Sequence, residues 1–227
     1  MTIEARLNKE AILNYEEAKE LMFVRVRNIK DVPMETAPAT VYGDLALTYH
    51  IALRDEEEEI ATAMIGRELM RHYGIRQETL HEAALKNAAR LYPACIGSLT
   101  DIIELKEKTV EFDPESIPEA PILILTNKMA TFGASALFYP GVKESLGKAL
   151  GNYFILPSSV HEVLILRDDG AFGHQELQMI VQSINRFEVD EDEQLSDMVY
   201  HYEAETGILE PAEEFAKRCP GTEGKCS

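Results

Sequence analysis

Residues 120–169 read APILILTNKMATFGASALFYPGVKESLGKALGNYFILPSSVHEVLILRDD, and this stretch decides the fold. It contains three short apolar runs, at residues 122–125, 153–156 and 163–166. Runs of this length that are bounded by Gly, Pro, Ser and Asp are typical of buried strands. The connection through Pro157–Ser159 is too short for a parallel crossover. The stretch therefore predicts antiparallel pairing.

The residues between these runs predict one further strand and one helix. Residues 134–139 (ASALFY) are expected to pair back as a strand, which Pro140 and Gly141 end. Residues 142–150 carry apolar side chains at helical spacing, and Gly151 follows as a helix terminator. This part of the sheet is therefore expected to carry a short amphipathic helix.

The N-terminal part of the chain combines a helix pattern with a hairpin pattern. Asn14 followed by Glu17 resembles a capping box, and the apolar spacing after it predicts a helix that continues to Asn28. Apolar residues alternate strictly along 45–53, which predicts a strand with one buried face, and 60–65 can return beside it. We expect a β-hairpin there.

The remaining elements follow from the same periodicities. His50 lies on the polar side of the hairpin pattern and is expected at the surface. Helices are predicted over 66–73, 80–91 and 177–187, and a last hairpin over 198–202 and 208–209. The fold class is α+β: antiparallel sheets of hairpins with short amphipathic helices packed on them, in two halves.

The domain organisation is predicted from one proline-containing acidic segment. Residues 111–120 (EFDPESIPEA) hold two prolines and four carboxylates, and are interpreted as a linker. An N-terminal α+β half would cover 14–110 and a C-terminal α+β half 121–209. Residues 210–227 are expected to form a flexible tail.

Net charge excludes some classes of partner. The chain has 22 basic and 40 acidic residues, which gives a formal net charge of −18. Such a field repels phosphate, so direct nucleic-acid binding and docking on an anionic membrane are not expected. An acidic mimic of nucleic acid, which occupies a basic protein, stays an open alternative. A protein partner is possible, and the sequence does not indicate the oligomeric state.

Location and cysteine chemistry follow from what the sequence does not show. No secretory-signal pattern and no apolar run of roughly 20 residues is visible, so we expect a soluble, cytoplasmic protein. Three cysteines argue against a disulfide framework. Cys95 is interpreted as a small buried apolar residue, and Cys219 and Cys226 are assigned to the tail.

One cluster of reactive side-chain types lies beside the predicted core, and it consists of Ser158, Ser159, His161 and Glu162. A nucleophilic serine needs a base within hydrogen-bond reach, and the base needs an orienting group. On a strand, Glu162 would point away from His161, and no G-x-S-x-G motif is present. The favoured interpretation is structural: the hydroxyls and the imidazole satisfy the backbone where buried strands reverse.

A metal site is the other chemical alternative at this turn. His161 and His174, with Glu162, are weak candidate ligands, because adjacent residues on a strand face opposite sides. The HExxH pattern is incomplete, since Ile165 stands where the second histidine belongs. The glycine-rich segment lacks the residues of a phosphate-binding loop. No cofactor is therefore predicted.

Several stretches resemble a bacterial domain-of-unknown-function family, DUF5688. They are NYEEAKELMFVRVRN (14–28), GDLALTYHIAL (43–53), LHEAALKNAARLYPA (80–94), ILTNKMATFGASALFYPGV through ILPSSVHEVLIL (124–166), and LSDMVYHYEAETG (195–207). The chain is similar to a short member without the family's longer N-terminal region, and has Ala88-Ala89 where the family typically shows Thr-Pro. The resemblance implies a real folding unit and no particular activity.

These observations predict a non-enzymatic interaction or accessory module in a bacterial cytoplasm. The alternative from a different class is a hydrolase or metal-dependent enzyme built on the Ser-Ser-x-His-Glu turn. Both interpretations depend on what the side chains of residues 158–162 contact.

Overall fold

The structure is a computed structural model that describes residues 12–56, 59–104 and 109–219. Its strands form two antiparallel sheets with helices packed against them, which confirms the predicted α+β class. Among the described residues, no helix is long and apolar enough to cross a membrane.

The smaller sheet has four strands: β1 (Met22–Asn28), β2 (Ala39–Tyr42), β3 (Leu45–Glu56) and β4 (Glu59–Met64). The long strand β3 pairs with β1 along one side. Along its other side, β2 pairs with the first part of β3 and β4 with the second part. The predicted hairpin is therefore confirmed as β3 and β4.

The larger sheet has seven strands. In chain order they are β5 (Ala94–Ser98), β6 (Val110–Glu111), β7 (Ile122–Asn127), β8 (Tyr153–Leu156), β9 (Val163–Arg167), β10 (Tyr200–Glu203) and β11 (Ile208–Pro211). Their order across the sheet is β11-β10-β8-β9-β7-β5-β6, and every pair is antiparallel. The three apolar runs of the opening stretch are β7, β8 and β9.

The helices are short, with two exceptions of four turns. They are α1 (Tyr15–Ala18), α2 (Arg67–His72), α3 (Gln77–Leu91), α4 (Leu99–Ile103), α5 (Val142–Leu150), α6 (His174–Glu188) and α7 (Ala212–Arg218). Short 3₁₀ helices cover 19–21, 29–31 and 133–138. The predicted helices at 66–73, 80–91, 142–150 and 177–187 are confirmed within a few residues.

One apolar core connects the two sheets. It includes Val24 and Leu47 from the smaller sheet, Leu80 from α3, and Leu125 and Ile165 from the larger sheet. A second, smaller cluster lies where α6 and α7 cover β8, and contains side chains such as Phe154, Leu177 and Ala212. The large core places the smaller sheet against the 128–138 segment, which matters for the site below.

The predicted helix from Asn14 to Asn28 is wrong beyond its first turn. Asn14 does cap α1, because its side chain accepts the Glu16 backbone N–H. Met22–Asn28, however, is a strand. Its sequence MFVRVRN alternates in period two, and the β-branched valines favour a pleated strand over a helix.

The predicted strand over residues 134–139 is also wrong. A 3₁₀ helix spans Gly133–Phe138, and all six of its residues are buried. A surface strand would have exposed alternate side chains. The segment is instead wedged between the sheets, and its Ala134 N–H bonds to the Val160 carbonyl at 3.2 Å.

The tail prediction is wrong as far as residue 219. Ile208–Pro211 forms β11, and α7 follows it directly. The Phe215 ring stacks on the ring of His201, with centroids 3.6 Å apart, and Arg218 forms ion pairs with Glu203 and Glu210. Residues 220–227, which include Cys226, lie outside the described residues.

The predicted linker separates two strands that pair with each other. β5 precedes residues 111–120 and β7 follows them, and the two strands are neighbours in the larger sheet. Residues 112–121 contain neither helix nor strand. The division of the chain into two folding halves stays a prediction.

Candidate functional site

The turn between β8 and β9 contains the serine and histidine candidates, and a neighbouring chain segment holds it in place. Ser158 and Ser159 are buried. The Ser158 carbonyl accepts the Leu195 N–H at 3.0 Å, and the Val160 N–H donates to the Glu193 carbonyl at 2.9 Å. The backbone of this turn is therefore paired with residues 193–195.

The Ser159 hydroxyl serves the backbone of its own turn. Its Oγ accepts the His161 backbone N–H at 3.0 Å. Within the described part of the chain, no hydrogen bond joins either Ser158 or Ser159 to the imidazole of His161. A nucleophile–base pair of the kind a serine hydrolase uses is therefore not formed here.

Both ring nitrogens of His161 have partners. Nδ1 accepts the backbone N–H of Phe132 at 3.3 Å, and Nε2 lies 3.2 Å from a carboxylate oxygen of Glu193. Because Nδ1 accepts, the proton of the neutral ring is on Nε2 and is donated to Glu193. The imidazole thus anchors a loop and has no free nitrogen for a serine proton.

Glu162 and His174 do not complete a metal site with His161. Burial raises the pKa of the Glu162 carboxyl, an effect that nearby His161 opposes and Glu193 reinforces. His174 begins α6, the helix that covers the second core cluster. Across the three described ranges, no group of three or more His, Cys, Asp or Glu side chains is arranged to hold a metal ion.

Phe132 connects this turn to a buried arginine of the smaller sheet. Its ring centroid lies 5.6 Å from that of His161. Over the same ring, the guanidinium carbon of Arg25 lies 3.7 Å from the centroid. Arg25, Phe132 and His161 therefore form a contiguous group, which we call the Arg25 stack. Contact this close between a guanidinium and an aromatic ring is attractive when both are desolvated.

The loop that carries Phe132 has an unusual backbone. Ala130 and Phe132 have positive φ values of 50° and 52°. The Asn127 side chain holds the loop: its oxygen accepts the Met129 N–H at 3.0 Å, and its nitrogen donates to the Thr131 carbonyl at 2.9 Å. Left-handed residues other than glycine cost roughly 1–3 kcal/mol each and concentrate at functional sites. We call residues 127–133 the Phe132 loop.

Gly133 ends this loop because no side chain fits there. A Cβ atom at Gly133 would lie 2.2 Å from Oγ1 of Thr126 and 2.6 Å from the carbonyl oxygen of His161. The Thr126 hydroxyl itself donates to that carbonyl at 2.8 Å. The glycine thus allows the Phe132 loop to approach the His161 turn.

A small cavity opens beside the guanidinium of Arg25. Its volume is about 10 Å³, and it lies in a depression with about 230 Å³ of empty space, part of it open to solvent. A cavity of about 10 Å³ has room for roughly one water-sized group. Its lining includes Arg25, Asn127, Thr131, Phe132, Ser135 and Tyr139. We call this cavity, together with the depression around it, the Arg25 pocket.

Arg25 is the unexpected member of this site. Arg25 is 7% exposed, and its Nε is completely buried and makes no hydrogen bond to a described residue. Within the described part of the chain, no carboxylate pairs with its guanidinium. Burial lowers the pKa of Arg25 to about 10, and the nearby charge of Arg27 acts in the same direction. Arginine is rarely this buried unless it is paired.

His50 lies on the same face of the sheet, next to Arg25. The sequence pattern predicted a surface position, and this is wrong: His50 is 4% exposed. Its Nε2 lies 3.0 Å from Oγ1 of Thr48, whose hydroxyl donates to the Arg25 carbonyl. Burial, reinforced by the charges of Arg25 and Arg27, lowers the pKa of His50 to about 3. The histidine is therefore neutral beside the arginine.

Sequence reasoning placed Arg25 on a helix and so missed it as a site residue. The signal was present in MFVRVRN, where Met22, Val24 and Val26 occupy one face of a strand and Arg25 the other. When one face of a strand is apolar and its other face packs against further buried residues, a basic residue on that second face is a charge held inside the fold. The pairing of β1 with the long strand β3 completes that burial.

Comparison with known proteins gives a family and no activity. The model of a family of unknown function (DUF5688) matches residues 1–204 of the 227-residue chain. No curated protein and no solved structure matches the chain. The resemblance read from the sequence is thereby confirmed.

Proposed function

The chain belongs to this family of unknown function (DUF5688), and we propose that it is a non-enzymatic binding module whose recognition site is the Arg25 pocket. One observation carries the proposal: a buried arginine, Arg25, lines a cavity that is connected to solvent, and its Nε makes no hydrogen bond to a described residue. A buried charge is stable only when something compensates it. An anionic ligand supplies that compensation.

The absence of a ready nucleophile supports a binding role over a hydrolytic one. Ser159 is engaged by the backbone of its own turn, and His161 uses one nitrogen for Phe132 and the other for Glu193. A hydrolase needs a hydroxyl and a base in contact with each other and open to the substrate. At this turn these groups fasten the loop that forms one wall of the pocket.

The strained loop supports the location of the site. Ala130 and Phe132 keep left-handed backbones although neither is glycine. Asn127 and His161 hold them there by hydrogen bonds. The surrounding structure thus stabilises a loop conformation that places Phe132 under the guanidinium, as expected for a preorganised recognition site.

The proposal includes a cytoplasmic location. Its support is the composition of the chain and a buried Cys95 without a disulfide, as is usual in a reducing compartment. A protein partner that uses the same pocket is compatible with an interaction or accessory role. The net charge of −18 disfavours direct contact with nucleic acid.

The test separates binding from turnover. The full chain is incubated with a fluorophosphonate probe and with a panel of chromogenic esters, amides and phosphoesters. We expect no covalent adduct by intact mass and no turnover above that of a Ser159→Ala control. Labelling or turnover that Ser159→Ala or His161→Ala abolishes, in a variant whose far-UV circular dichroism is unchanged, would overturn the non-enzymatic proposal.

The binding half of the proposal has its own measurement. The thermal midpoint of the wild type is recorded against a panel of anions at constant ionic strength, and compared with Arg25→Met. We expect at least one anion to raise the midpoint of the wild type and not that of the variant. A panel without any such anion contradicts the assignment of the Arg25 pocket.

A further inference from the structure

We infer that the Arg25 pocket binds the carboxylate of a small monoanionic acid. This inference rests on the proposed binding function and names the chemistry of its ligand. Three properties of the pocket support it: its charge, the direction of its N–H donors, and its size.

The charge of the pocket matches one negative charge. Arg25 is the cation in its lining, and His50 beside it is neutral. A phosphate dianion would bring a second negative charge to a protein whose net charge is already −18. Two further carboxylates, Glu162 and Glu193, lie near His161 at the other end of the Arg25 stack. A monoanion is therefore favoured over a dianion.

The orientation of the guanidinium favours a planar partner. The Phe132 ring covers one of its faces at 3.7 Å, and the Phe23 ring lies 5.5 Å from the guanidinium carbon. The N–H groups of the guanidinium point outward in its plane. A ligand therefore meets these donors at the edge of the guanidinium and not on a face that a ring covers. A carboxylate accepts two parallel N–H bonds from such an edge.

The neighbouring hydroxyl groups do not compete with Arg25 as donors. Thr131 donates its hydroxyl proton to the Met129 carbonyl at 3.2 Å, and Ser135 donates to the Phe132 carbonyl at 2.9 Å. Tyr139 is almost fully buried, its hydroxyl shares a hydrogen bond with Ser135, and burial raises the pKa of the phenol well above the usual range, so that it stays neutral. These three groups form an uncharged part of the pocket lining, and Arg25 supplies the electrostatic attraction for the carboxylate.

The size of the pocket limits how much of the ligand enters. The inner cavity of about 10 Å³ accepts little more than the oxygen atoms that replace a water. Only the carboxylate oxygens therefore enter the cavity, and the body of the acid lies in the open depression outside it. The aromatic rings of Phe23 and Tyr92 offer its body an apolar contact.

Two sources provide such a carboxylate: a free small acid, and the C-terminal carboxylate of a peptide. The experiment uses isothermal titration of the full chain with sodium acetate, sodium benzoate, inorganic phosphate and a short peptide whose C terminus is either free or amidated. Ionic strength is held constant with sodium chloride. We expect a carboxylate to bind at least tenfold more tightly than phosphate. Tighter binding of the free-ended peptide than of either acid identifies the peptide source.

Two variants decide whether the binding belongs to Arg25. Arg25→Met removes the charge and keeps an unbranched chain, and Arg25→Lys keeps the charge without the planar fork. Arg27→Met is the matched control, because it removes the same charge two residues later on the same face of β1. We expect at least a tenfold loss of carboxylate affinity in both Arg25 variants and less than a threefold change in the control.

Each outcome has one meaning. Arg25-dependent binding of phosphate without binding of any carboxylate overturns the carboxylate inference and leaves the binding function standing. If no anion binds, the carboxylate inference and the proposed binding function are both overturned. The same follows if Arg25→Met and Arg25→Lys still bind carboxylate. If Arg25→Met does not fold by circular dichroism, Arg25→Lys carries the comparison.

Discussion

The phenol oxygen of Tyr200 lies 2.6 Å from Oδ1 of Asp44, and this contact joins the two sheets. Tyr200 belongs to β10 of the larger sheet, and Asp44 lies in the turn between β2 and β3 of the smaller one. Ser196 donates to the same carboxylate at 2.8 Å, and Asn28 contributes a longer bond at 3.3 Å. Three side chains therefore donate hydrogen bonds to this half-buried carboxylate.

Tyr200→Phe is expected to destabilise the fold by about 1.5–3 kcal/mol, which is typical for a hydrogen bond to a charged group. The variant keeps the ring and removes the donor that Asp44 needs. Urea denaturation followed by circular dichroism measures the change. Tyr202→Phe is the matched control, since Tyr202 is equally buried on β10 and makes no hydrogen bond to a described residue through its hydroxyl. Equal losses for both variants would contradict the role assigned to Asp44.

Local periodicity was sufficient to predict most elements of this fold. The apolar pattern within each segment was enough to predict the strands β7, β8 and β9 and the helices α3, α5 and α6. The segments 22–28 and 133–138 were misassigned because other parts of the fold decide them. The first pairs with β3, more than 15 residues away, and the second fills the space between two sheets.

The same limit explains the candidate site. The sequence showed that Ser158, Ser159 and His161 stand together, and their interpretation as supports for the backbone stays a prediction that the hydrogen bonds of the turn favour. The sequence did not show Arg25 as a site residue. That this side chain is buried without a carboxylate partner can be seen only when the chain segments packed around it are known. Residues that contradict local rules without a structural compensation are candidates for function.

Gly133→Ala is expected to displace the Phe132 loop. The new Cβ would lie 2.6 Å from the backbone nitrogen of Asn127 and from the His161 carbonyl, and backbone atoms cannot turn away. Overpacking of this kind costs about 1–3 kcal/mol or more. Thermal unfolding measures the loss, and we expect anion binding at Arg25 to weaken with it. Gly173→Ala, at a position where a Cβ meets no atom within 4 Å, is the control. A Gly133 variant as stable as this control would show that the approach is not tight.

His50 is expected to make the protein sensitive to mild acid. Its pKa is lowered from 6.5 to about 3 in the folded state, so below pH 6.5 the unfolded chain takes up a proton that the folded chain refuses. The free energy of unfolding therefore falls as pH decreases from 6.5 towards 3, and is unaffected by His50 above 6.5. Between pH 7 and pH 5 the decrease is about 2 kcal/mol.

The variant His50→Phe tests this dependence. It removes the titrating group and keeps a flat ring, so the free energy of unfolding should depend less on pH over the same interval. Urea denaturation at a series of pH values gives the slopes. His72→Gln, at an exposed position of α2, reports what replacing a surface histidine does. Parallel slopes for the wild type and His50→Phe would show that another group causes the acid sensitivity.

Arg25→Met is expected to stabilise the ligand-free protein by about 1–3 kcal/mol. Burial lowers the pKa of Arg25 to about 10, so holding its charge inside the fold costs free energy that methionine avoids. Denaturation in a buffer without carboxylates measures the gain, and Arg27→Met controls for the change in net charge. A large loss of stability in Arg25→Met would mean that the guanidinium is a structural support through its contact with Phe132, and not a recognition group.

The two neighbouring serines provide the sharpest test of the turn. Ser159→Ala removes the acceptor of the His161 N–H and is expected to cost about 0.5–1.5 kcal/mol. Ser158→Ala changes a side chain of equal size and similar burial that makes no hydrogen bond to a described residue, and should change stability by less than about 0.5 kcal/mol. Chemical denaturation of both variants gives the difference. A larger loss for Ser158→Ala than for Ser159→Ala would contradict the structural role of the Ser159 hydroxyl, because the hydrogen bond of Ser159 is the feature that distinguishes the two.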